Sequence, residues 1–290
     1  MSHQQPIPAA PALRVEKGPS LPIVTHRHRS ALDQLGSAFA EARPVAILTG
    51  ERKSGVSHLI DRFVAGMDGD VAVARTTQPY SDDNAGMREV IQAIGFDPQN
   101  ISRADLEHEF TSVLSYQMYN NRRTIICFEE TQSSARSVLD RVRRFVELET
   151  KEKFGLMVIL SGRPSLNELL IEPPFDAICA HAGQHIALEP FTLIDTREHI
   201  SREVEAAGIV DIDQEFESGA ITLIHELCAG VPAAVDNLCC KCIQLTDEED
   251  TAPVTTELVK KADKLLRRDF SMSANGRKLP LKSRCFSRVE

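Results

Sequence analysis

The segment AILTGERKSGVSH, from Ala46 to His58, spaces two glycines and a hydroxyl as a phosphate-binding loop does. Gly50 ends an apolar run, Gly55 follows after four residues, and Ser57 supplies the hydroxyl. In such a loop, backbone N–H groups and the next helix N-terminus hold phosphate, and the hydroxyl binds magnesium. The sequence therefore predicts a nucleotide site lined by Gly50, Glu51, Arg52, Lys53, Ser54, Gly55, Val56, Ser57 and His58.

The loop lacks the lysine that normally reaches the outer phosphates, because Val56 stands in its place. Losing one charge-assisted contact costs roughly 1.5–3 kcal/mol, which is about ten- to a hundredfold in affinity. The backbone N–H groups remain, and Lys53 could supply charge from within the loop. Three interpretations stay open: a working nucleotide site, a weakened one, and an ordinary strand–turn–helix connection.

Two carboxylates, Glu129 and Glu130, follow the apolar run IICF. Carboxylates at the end of a buried strand, downstream of a phosphate loop, suit the handling of a metal ion and of the attacking water. We therefore expect Ser57 and Glu129 to hold Mg²⁺, and Glu130 to act catalytically by orienting water. The alternative is that the two charges mark only where the strand leaves the core.

These residues need a sheet to bring them together, and apolar runs ended by glycine or charge predict its strands. The runs are VAILTG, DVAVARTT, RTIICF, GLMVILSG and QHIALEPF. Segments with helical apolar spacing lie between them, including one with Ser102 as its N-cap and a charged helix from about Ser134 to Lys153. Strands that alternate with helices are typical of a parallel α/β sheet.

After Phe191 the pattern becomes purely helical, with breaks at Gly208, at Gly230 and in an acidic loop after Thr246. The sequence therefore predicts an α/β fold, a parallel P-loop sheet flanked by helices, followed by a small all-helical domain. The expected limits are a flexible arm at 1–25, the α/β domain at 26–191, the helical domain at 192–268 and a basic flexible tail at 269–290.

The composition and the net charge indicate a folded protein and argue against DNA binding by the molecule as a whole. A hydrophobic content of 42% fits a folded core, and a formal net charge of −9 gives the whole molecule no DNA-binding character. The tail could meet DNA through five basic residues, although a solvated end is the default interpretation; they are Arg277, Lys278, Lys282, Arg284 and Arg288.

The cysteines do not predict a metal site. Of the seven cysteines, Cys239 and Cys242 have the CxxC spacing, but no second ligand pair stands at a spacing that suits zinc, and we interpret Cys239, Cys240 and Cys242 as small core residues of one helix. The sequence has no signal peptide and no apolar run of about 18 residues, so we expect a cytoplasmic protein without membrane insertion.

In their order and spacing, the motifs from about His26 to Leu266 resemble those of AAA+ ATPases of the ExeA/GspA secretion type and the related TniB/TnsC transposition regulators. LTGERKSGVS is similar to the Walker A loop and ICFEETQ to Walker B, while VILSGRPSLNELL resembles the sensor 1 strand and AGVPAAVDNLCCKCI the sensor 2 helix. The resemblance implies ATP or ADP with Mg²⁺ as cofactors, and Ser161 and Arg163 as sensor candidates. It also implies self-association or association with a related AAA+ subunit.

The departures from this family pattern fall at charged positions. Val56 replaces the Walker A lysine, Glu129 the Walker B aspartate, and Ala233 and Ala234 the sensor 2 arginines. The segment AHAGQH has no arginine where the family places one that reaches a neighbouring subunit. The pattern favours ATP binding with weak or absent hydrolysis in a regulatory or assembly subunit, and the chain length is closer to the transposition-type members, which assemble on DNA.

Two alternatives remain open at this point. The first is an active ATPase in which Lys53 and Arg163 compensate for the missing cations. The second is a protein-interaction module that keeps the fold and binds no nucleotide.

Two further clusters have simpler explanations. His26 and His28 are conceivable as a metal pair, but we expect a polar segment near the base of the nucleotide or plain surface. The helix RSVLDRVRRFVELETKEK could touch DNA or a neighbouring subunit through its arginines, but its interleaved glutamates, including Glu149, predict a solvated helix.

Overall fold

The computed structural model describes residues 25–67, 69–76, 83–98, 101–102, 104–134, 136–206, 211–249 and 253–273. The predicted arm up to residue 24 and the basic tail from residue 274 lie outside them. The chain divides into two compact units. Among the described residues, 30–52 and 56–188 belong to a sheet unit, and 25–29, 53–55 and 189–273 belong to a helical unit.

Five strands form the sheet, and each pairs with its neighbours in parallel. They are β1 (Val45–Gly50), β2 (Val71–Thr76), β3 (Arg123–Phe128), β4 (Leu156–Gly162) and β5 (Ala182–Leu188). Their order across the sheet is β2-β3-β4-β1-β5. The predicted parallel α/β sheet is confirmed, and because the strands are parallel, the ends of β1, β3 and β4 lie along one edge.

Helices connect the strands and follow the sheet. Those up to β5 are α1 (His26–Ala40), α2 (Val56–Ala65), α3 (Asp83–Ala93), α4 (Leu106–Tyr119), α5 (Arg136–Glu152), α6 (Ser165–Leu170) and α7 (Asp176–Ala180). The later ones are α8 (Leu193–Ala206), α9 (Ile212–Glu215), α10 (Ser218–Cys228), α11 (Pro232–Glu249) and α12 (Thr256–Ser273).

Both faces of the sheet are buried, as the continuous apolar runs of the strands predict. Val45 and Ile47 of β1 join a core cluster with residues of α3, α4 and α5. Ala46 and Leu48 point to the opposite face and join a second cluster with residues of α1 and α2. Strand β1 is therefore packed on both faces, directly before the loop that it positions.

The helical unit has a core of its own, built from α8, α10, α11 and α12. Cys239 and Cys242 are buried in this core, as predicted, whereas Cys240 is only half-buried. Burial raises the pKa of Cys242 to about 12. A thiol with so high a pKa is a packing group rather than a nucleophile.

Three local expectations are wrong. Helix α4 begins at Leu106, and Ser102 lies in the preceding turn, where its hydroxyl donates to Asp105 Oδ2 at 2.6 Å. The acidic segment after Thr246 continues α11 as helix to Glu249. Glu149 is 6% exposed rather than solvated. Its carboxylate accepts the backbone N–H groups of Gly155 and Leu156 at 3.1 and 3.0 Å, which explains its burial.

Candidate nucleotide site

The loop between β1 and α2 has the backbone of an anion cradle. Lys53 and Gly55 have positive φ angles of 67° and 96°, which curve the chain more tightly than ordinary backbone allows. Within the described residues, the N–H groups of Lys53, Ser54, Gly55 and Val56 donate to no backbone carbonyl. Unpaired N–H groups in a curved loop before a helix are the donors with which proteins hold phosphate.

Gly55 leaves no room for a side chain. A Cβ atom there would lie 2.8 Å from Nε2 of His28. His28 is held in turn by Thr25, whose Oγ1 lies 2.9 Å from His28 Nδ1. His28 is 8% exposed, so the expectation of plain surface holds for His26 and is wrong for His28.

The side-chain oxygen of Ser54 is a buried polar atom of the loop without a hydrogen bond to the described residues. The residue is 4% exposed, and its Oγ has no hydrogen-bond partner among the described residues. Buried hydroxyls in folded proteins nearly always have one. An orphaned hydroxyl beside unpaired N–H groups fits a phosphate oxygen, so the loop residues fit a nucleotide.

The structure brings the two predicted metal ligands together, although they are far apart in sequence. Ser57 is an exposed residue in the first turn of α2, and Glu129 follows β3 directly. Ser57 Oγ donates to Glu129 Oε2 at 2.5 Å. Glu129 is 5% exposed, so its carboxylate needs partners to be stable there.

Sequence reasoning missed Arg75, which is the second partner of Glu129. Arg75 Nε donates to Glu129 Oε1 at 2.5 Å, its Nη1 pairs with Asp61, and its Nη2 donates to the carbonyl of Ser57 at 3.3 Å. Burial lowers the pKa of Arg75, but hydrogen bonds to Glu129 and Asp61 outweigh it, so the pKa is raised. The only sequence signal was an arginine near the end of an alternating strand, and it did not reveal that β2 lies beside β3.

The predicted catalytic Glu130 and the sensor candidates meet at the same edge of the sheet. Glu130 has a left-handed backbone with φ 50°, and its Oε2 accepts from Gln132 Nε2 at 2.7 Å. Gln132 Oε1 accepts the N–H of Arg163 at 3.1 Å, and Arg163 Nε lies 3.9 Å from Glu130 Oε2. Ser161 is buried and donates to the carbonyl of Phe128 at 3.5 Å. Gln132, which was not among the predicted site residues, therefore positions both Glu130 and Arg163.

Two features are absent from the part of the chain that the structure describes. In that part of the chain, no group of three or more His, Cys, Asp or Glu side chains is arranged to hold a metal ion. No helix there is long and apolar enough to cross a membrane.

Comparison with known proteins gives one similar curated sequence. No protein-family model matches the chain. General secretion pathway protein A of Aeromonas hydrophila is 23% identical over 234 residues. The match covers 79% of this chain and 42% of that protein, so the chain spans less than half of the relative's length.

Solved structures are similar over most of the chain. The Cdc6p structure from Pyrobaculum aerophilum has a TM-score of 0.66 at 12% identity, over 85% of this chain and 69% of that one. The Aeropyrum pernix ORC2 structure, solved as ADPNP–ADP complexes, has a TM-score of 0.62 at 12% identity, over 84% and 69%. The Aeropyrum pernix ORC1 structure in complex with DNA has a TM-score of 0.60 at 17% identity, over 89% and 70%.

Identities this low establish the architecture rather than the activity. The chain has the AAA+ fold of the Cdc6p and ORC1 structures, with a five-stranded parallel sheet flanked by helices and a C-terminal helical region.

Proposed function

We propose that this protein binds ATP or ADP in the loop from Gly50 to His58, hydrolyses ATP weakly or not at all, and acts as a regulatory or assembly subunit. The observation that carries the proposal is the buried, unpartnered Oγ of Ser54 beside unpaired loop N–H groups. This cradle needs no lysine, because backbone donors and the start of α2 hold the phosphates. The ADPNP–ADP complexes of the Aeropyrum pernix ORC2 protein support a nucleotide as the ligand of this fold.

Weak hydrolysis is expected from the residue types at the motif positions. Val56 has no charge for the outer phosphates, and Ala233 and Ala234 stand where the resemblance to AAA+ ATPases implies arginines. An arginine contributed to a phosphoryl-transfer site is worth about 10³–10⁵ in rate. Glu130 accepts from Gln132 through Oε2, so one of its two carboxylate oxygens is already engaged.

The test compares alanine substitutions at two glycines whose φ angles are nearly the same. Gly55→Ala and Gly95→Ala both place alanine at a strongly positive φ, 96° and 100°. A Cβ meets His28 only at Gly55, whereas it meets nothing within 4 Å at Gly95. ATP at about 100 times its dissociation constant should raise the Tm of the wild type by about 5–10 °C. We expect Gly95→Ala to keep this shift and Gly55→Ala to lose it.

No shift in the wild type, at millimolar ATP or ADP, would contradict nucleotide binding. That result would favour the interaction module that keeps the AAA+ fold without nucleotide. Equal shifts in the wild type and in both variants would mean that ATP binds away from this loop.

An active ATPase with compensating cations is the second candidate. Two observations favour it: Lys53 is exposed and makes no ion pair with the described residues, and Arg163 lies 3.9 Å from the carboxylate of Glu130. In this case Lys53→Ala and Arg163→Ala should each reduce turnover at least about tenfold. Turnover that is unchanged in Lys53→Ala would remove the compensating role of that lysine.

The proposals that the protein assembles with other subunits and binds DNA rest on similar proteins and on the basic residues of the tail. We propose a cytoplasmic protein that associates with itself or with a related AAA+ subunit, in a system of the transposition type. The Aeropyrum pernix ORC1 structure in complex with DNA supports DNA as a partner of this fold. DNA binding that weakens with salt and disappears when residues 274–290 are deleted is the expected result. Equal binding without the tail would contradict it.

A further inference from the structure

Four groups of the sheet unit form a closed polar cluster beside the phosphate loop: Ser57, Asp61, Arg75 and Glu129. Arg75 donates to Glu129 at 2.5 Å, to Asp61 and to the carbonyl of Ser57. Ser57 Oγ donates to the other oxygen of Glu129 at 2.5 Å. Each oxygen of the buried carboxylate therefore has a donor, and the guanidinium uses all three of its nitrogens.

The topology explains why these side chains meet. Arg75 and Cys127 are paired in the register of β2 and β3, and Glu129 lies two residues beyond Cys127. Side chains two apart along a strand share a face, so Arg75 and Glu129 project to the same side of the sheet. Cys127 belongs to the cluster that includes residues of α2, the helix that carries Ser57 and Asp61.

Magnesium does not fit this cluster as it stands. Mg²⁺ requires oxygen ligands at about 2.0–2.1 Å in octahedral geometry. Its predicted ligands here are Ser57 and Glu129, and both are hydrogen-bonded within the cluster. A dication bound to Glu129 would also lie against the guanidinium of Arg75, and like charges repel.

We infer that Arg75 takes the place of the metal ion in this site, so that the protein binds nucleotide without Mg²⁺. The inference rests on the proposed nucleotide-binding function. Arg75 neutralises Glu129, as the metal does in a site that carries one, and it places a fixed positive charge beside the loop in which Val56 carries none. Its side chain is 25% exposed, so its positive charge is not sealed from the solvent side of the cluster.

The first experiment needs no nucleotide and uses Mn²⁺ as the probe, read by thermal stability of the full chain. The wild type should gain no stability from millimolar Mn²⁺. Arg75→Gln frees Glu129 and Asp61 and should be stabilised by several degrees, because a ligand bound only by the folded state raises the Tm. Adding Glu129→Gln to that variant should abolish the gain.

The matched control is Arg88→Gln. Arg88 is also a half-buried arginine of the sheet unit, and it donates to the carbonyls of Pro98 and Ile101 rather than to a carboxylate. Its replacement should create no response to Mn²⁺. A Mn²⁺ gain in the wild type that Glu129→Gln removes would overturn the inference, and so would a folded Arg75→Gln variant without any gain.

A second measurement uses only the wild type, which keeps the inference testable if Arg75→Gln does not fold. Calorimetry gives the ATP dissociation constant in Mg²⁺ and in EDTA. We expect the two constants to agree within about twofold, and binding at least about tenfold tighter in Mg²⁺ would overturn the inference. ATP that binds in neither buffer would contradict the proposed function alone, and the response of the wild type to Mn²⁺ would still decide the role of Arg75.

Discussion

At the scale of single residues, the proposed phosphate loop presents unpaired backbone N–H groups, and Val56 stands where the loop motif predicts a lysine. Val56 is half-buried and packs on the cluster formed with α1 and α2, so an apolar contact occupies the position of the usual lysine. Arg75 of β2 is bound to Glu129, which follows β3. Backbone N–H groups and this arginine therefore contribute to the polarity of the site.

Restoring the lysine is the direct test of what its absence costs. Val56→Lys should tighten ATP binding about ten- to a hundredfold, the value of one charge-assisted contact. The lysine stem can keep part of the apolar packing while its ammonium group reaches the phosphates. Calorimetry measures the change, and Val56→Met, which adds length without charge, should leave the affinity unaltered. Equal affinities for Val56→Lys and the wild type would mean that the loop does not hold the outer phosphates.

The sequence alone could indicate the residues of this site that lie in local motifs, but not those whose partners come from other strands. That Ser57 and Glu129 lie together could be predicted because a loop motif and a strand end each carry a local pattern, whereas their role as metal ligands stays a prediction. Arg75 could not be predicted, because its role depends on the non-local pairing of β2 with β3. Gln132 was missed for a related reason: its partner Arg163 follows a different strand.

At the scale of elements, α5 and β4 are joined by a buried carboxylate. Glu149 accepts the first N–H groups of the segment that enters β4, namely those of Gly155 and Leu156. Burial raises the pKa of Glu149, and these hydrogen bonds partly oppose the shift. Periodicity placed this residue among solvated glutamates, because the acceptor role depends on the chain turning back after α5.

Removing that carboxylate should destabilise the sheet unit. We expect Glu149→Ala to lower the free energy of unfolding by about 1–3 kcal/mol, since it leaves two N–H groups without an acceptor. Glu147→Ala on the same helix removes a part-buried i,i+4 pair with Arg143 but leaves no backbone N–H without an acceptor, and it should cost at most about 0.5 kcal/mol. Chemical denaturation measures both, and equal losses would contradict the capping role.

At the scale of the whole molecule, the sequence predicted two regions of different class, and each has its own core. The sheet unit is buried on both faces, and the helical unit closes around cysteine and aliphatic side chains. Hydrophobic periodicity specified this division because strands and helices differ in period. It could not specify polar pairs between helices, such as buried His199 with half-exposed Asp236, which join α8 to α11.

That pair predicts how stability depends on pH. His199 Nε2 lies 2.6 Å from Asp236 Oδ1, and His199 is 6% exposed. Burial lowers the pKa of His199, but the hydrogen bond and charge of Asp236 outweigh it, so the pKa is raised. The folded chain therefore binds this proton more tightly than the unfolded chain. The stabilisation is complete below the ordinary histidine pKa of about 6.5 and is lost as pH rises through the raised value.

The expected result is a Tm that falls as pH rises from about 6 to 9, with a smaller fall in Asp236→Asn. The pKa of Glu203 is also raised, chiefly by burial. Its ionisation therefore also lowers the stability of the fold as pH rises, but at lower pH than that of His199. The control is Asp213→Asn, which removes an exposed partner of Arg197 in the same unit and should leave the pH dependence intact. A Tm that rises over this interval would contradict the assignment.

The central claim is that the cradle binds nucleotide although its lysine is missing. The most direct test is calorimetric titration of ATP and ADP into the full chain after bound nucleotide has been removed. The account predicts saturable binding at one site per chain, with a dissociation constant below about 1 mM. No heat of binding at millimolar ATP or ADP, in Mg²⁺ or in EDTA, would contradict it and would leave the loop as a structural connection between β1 and α2.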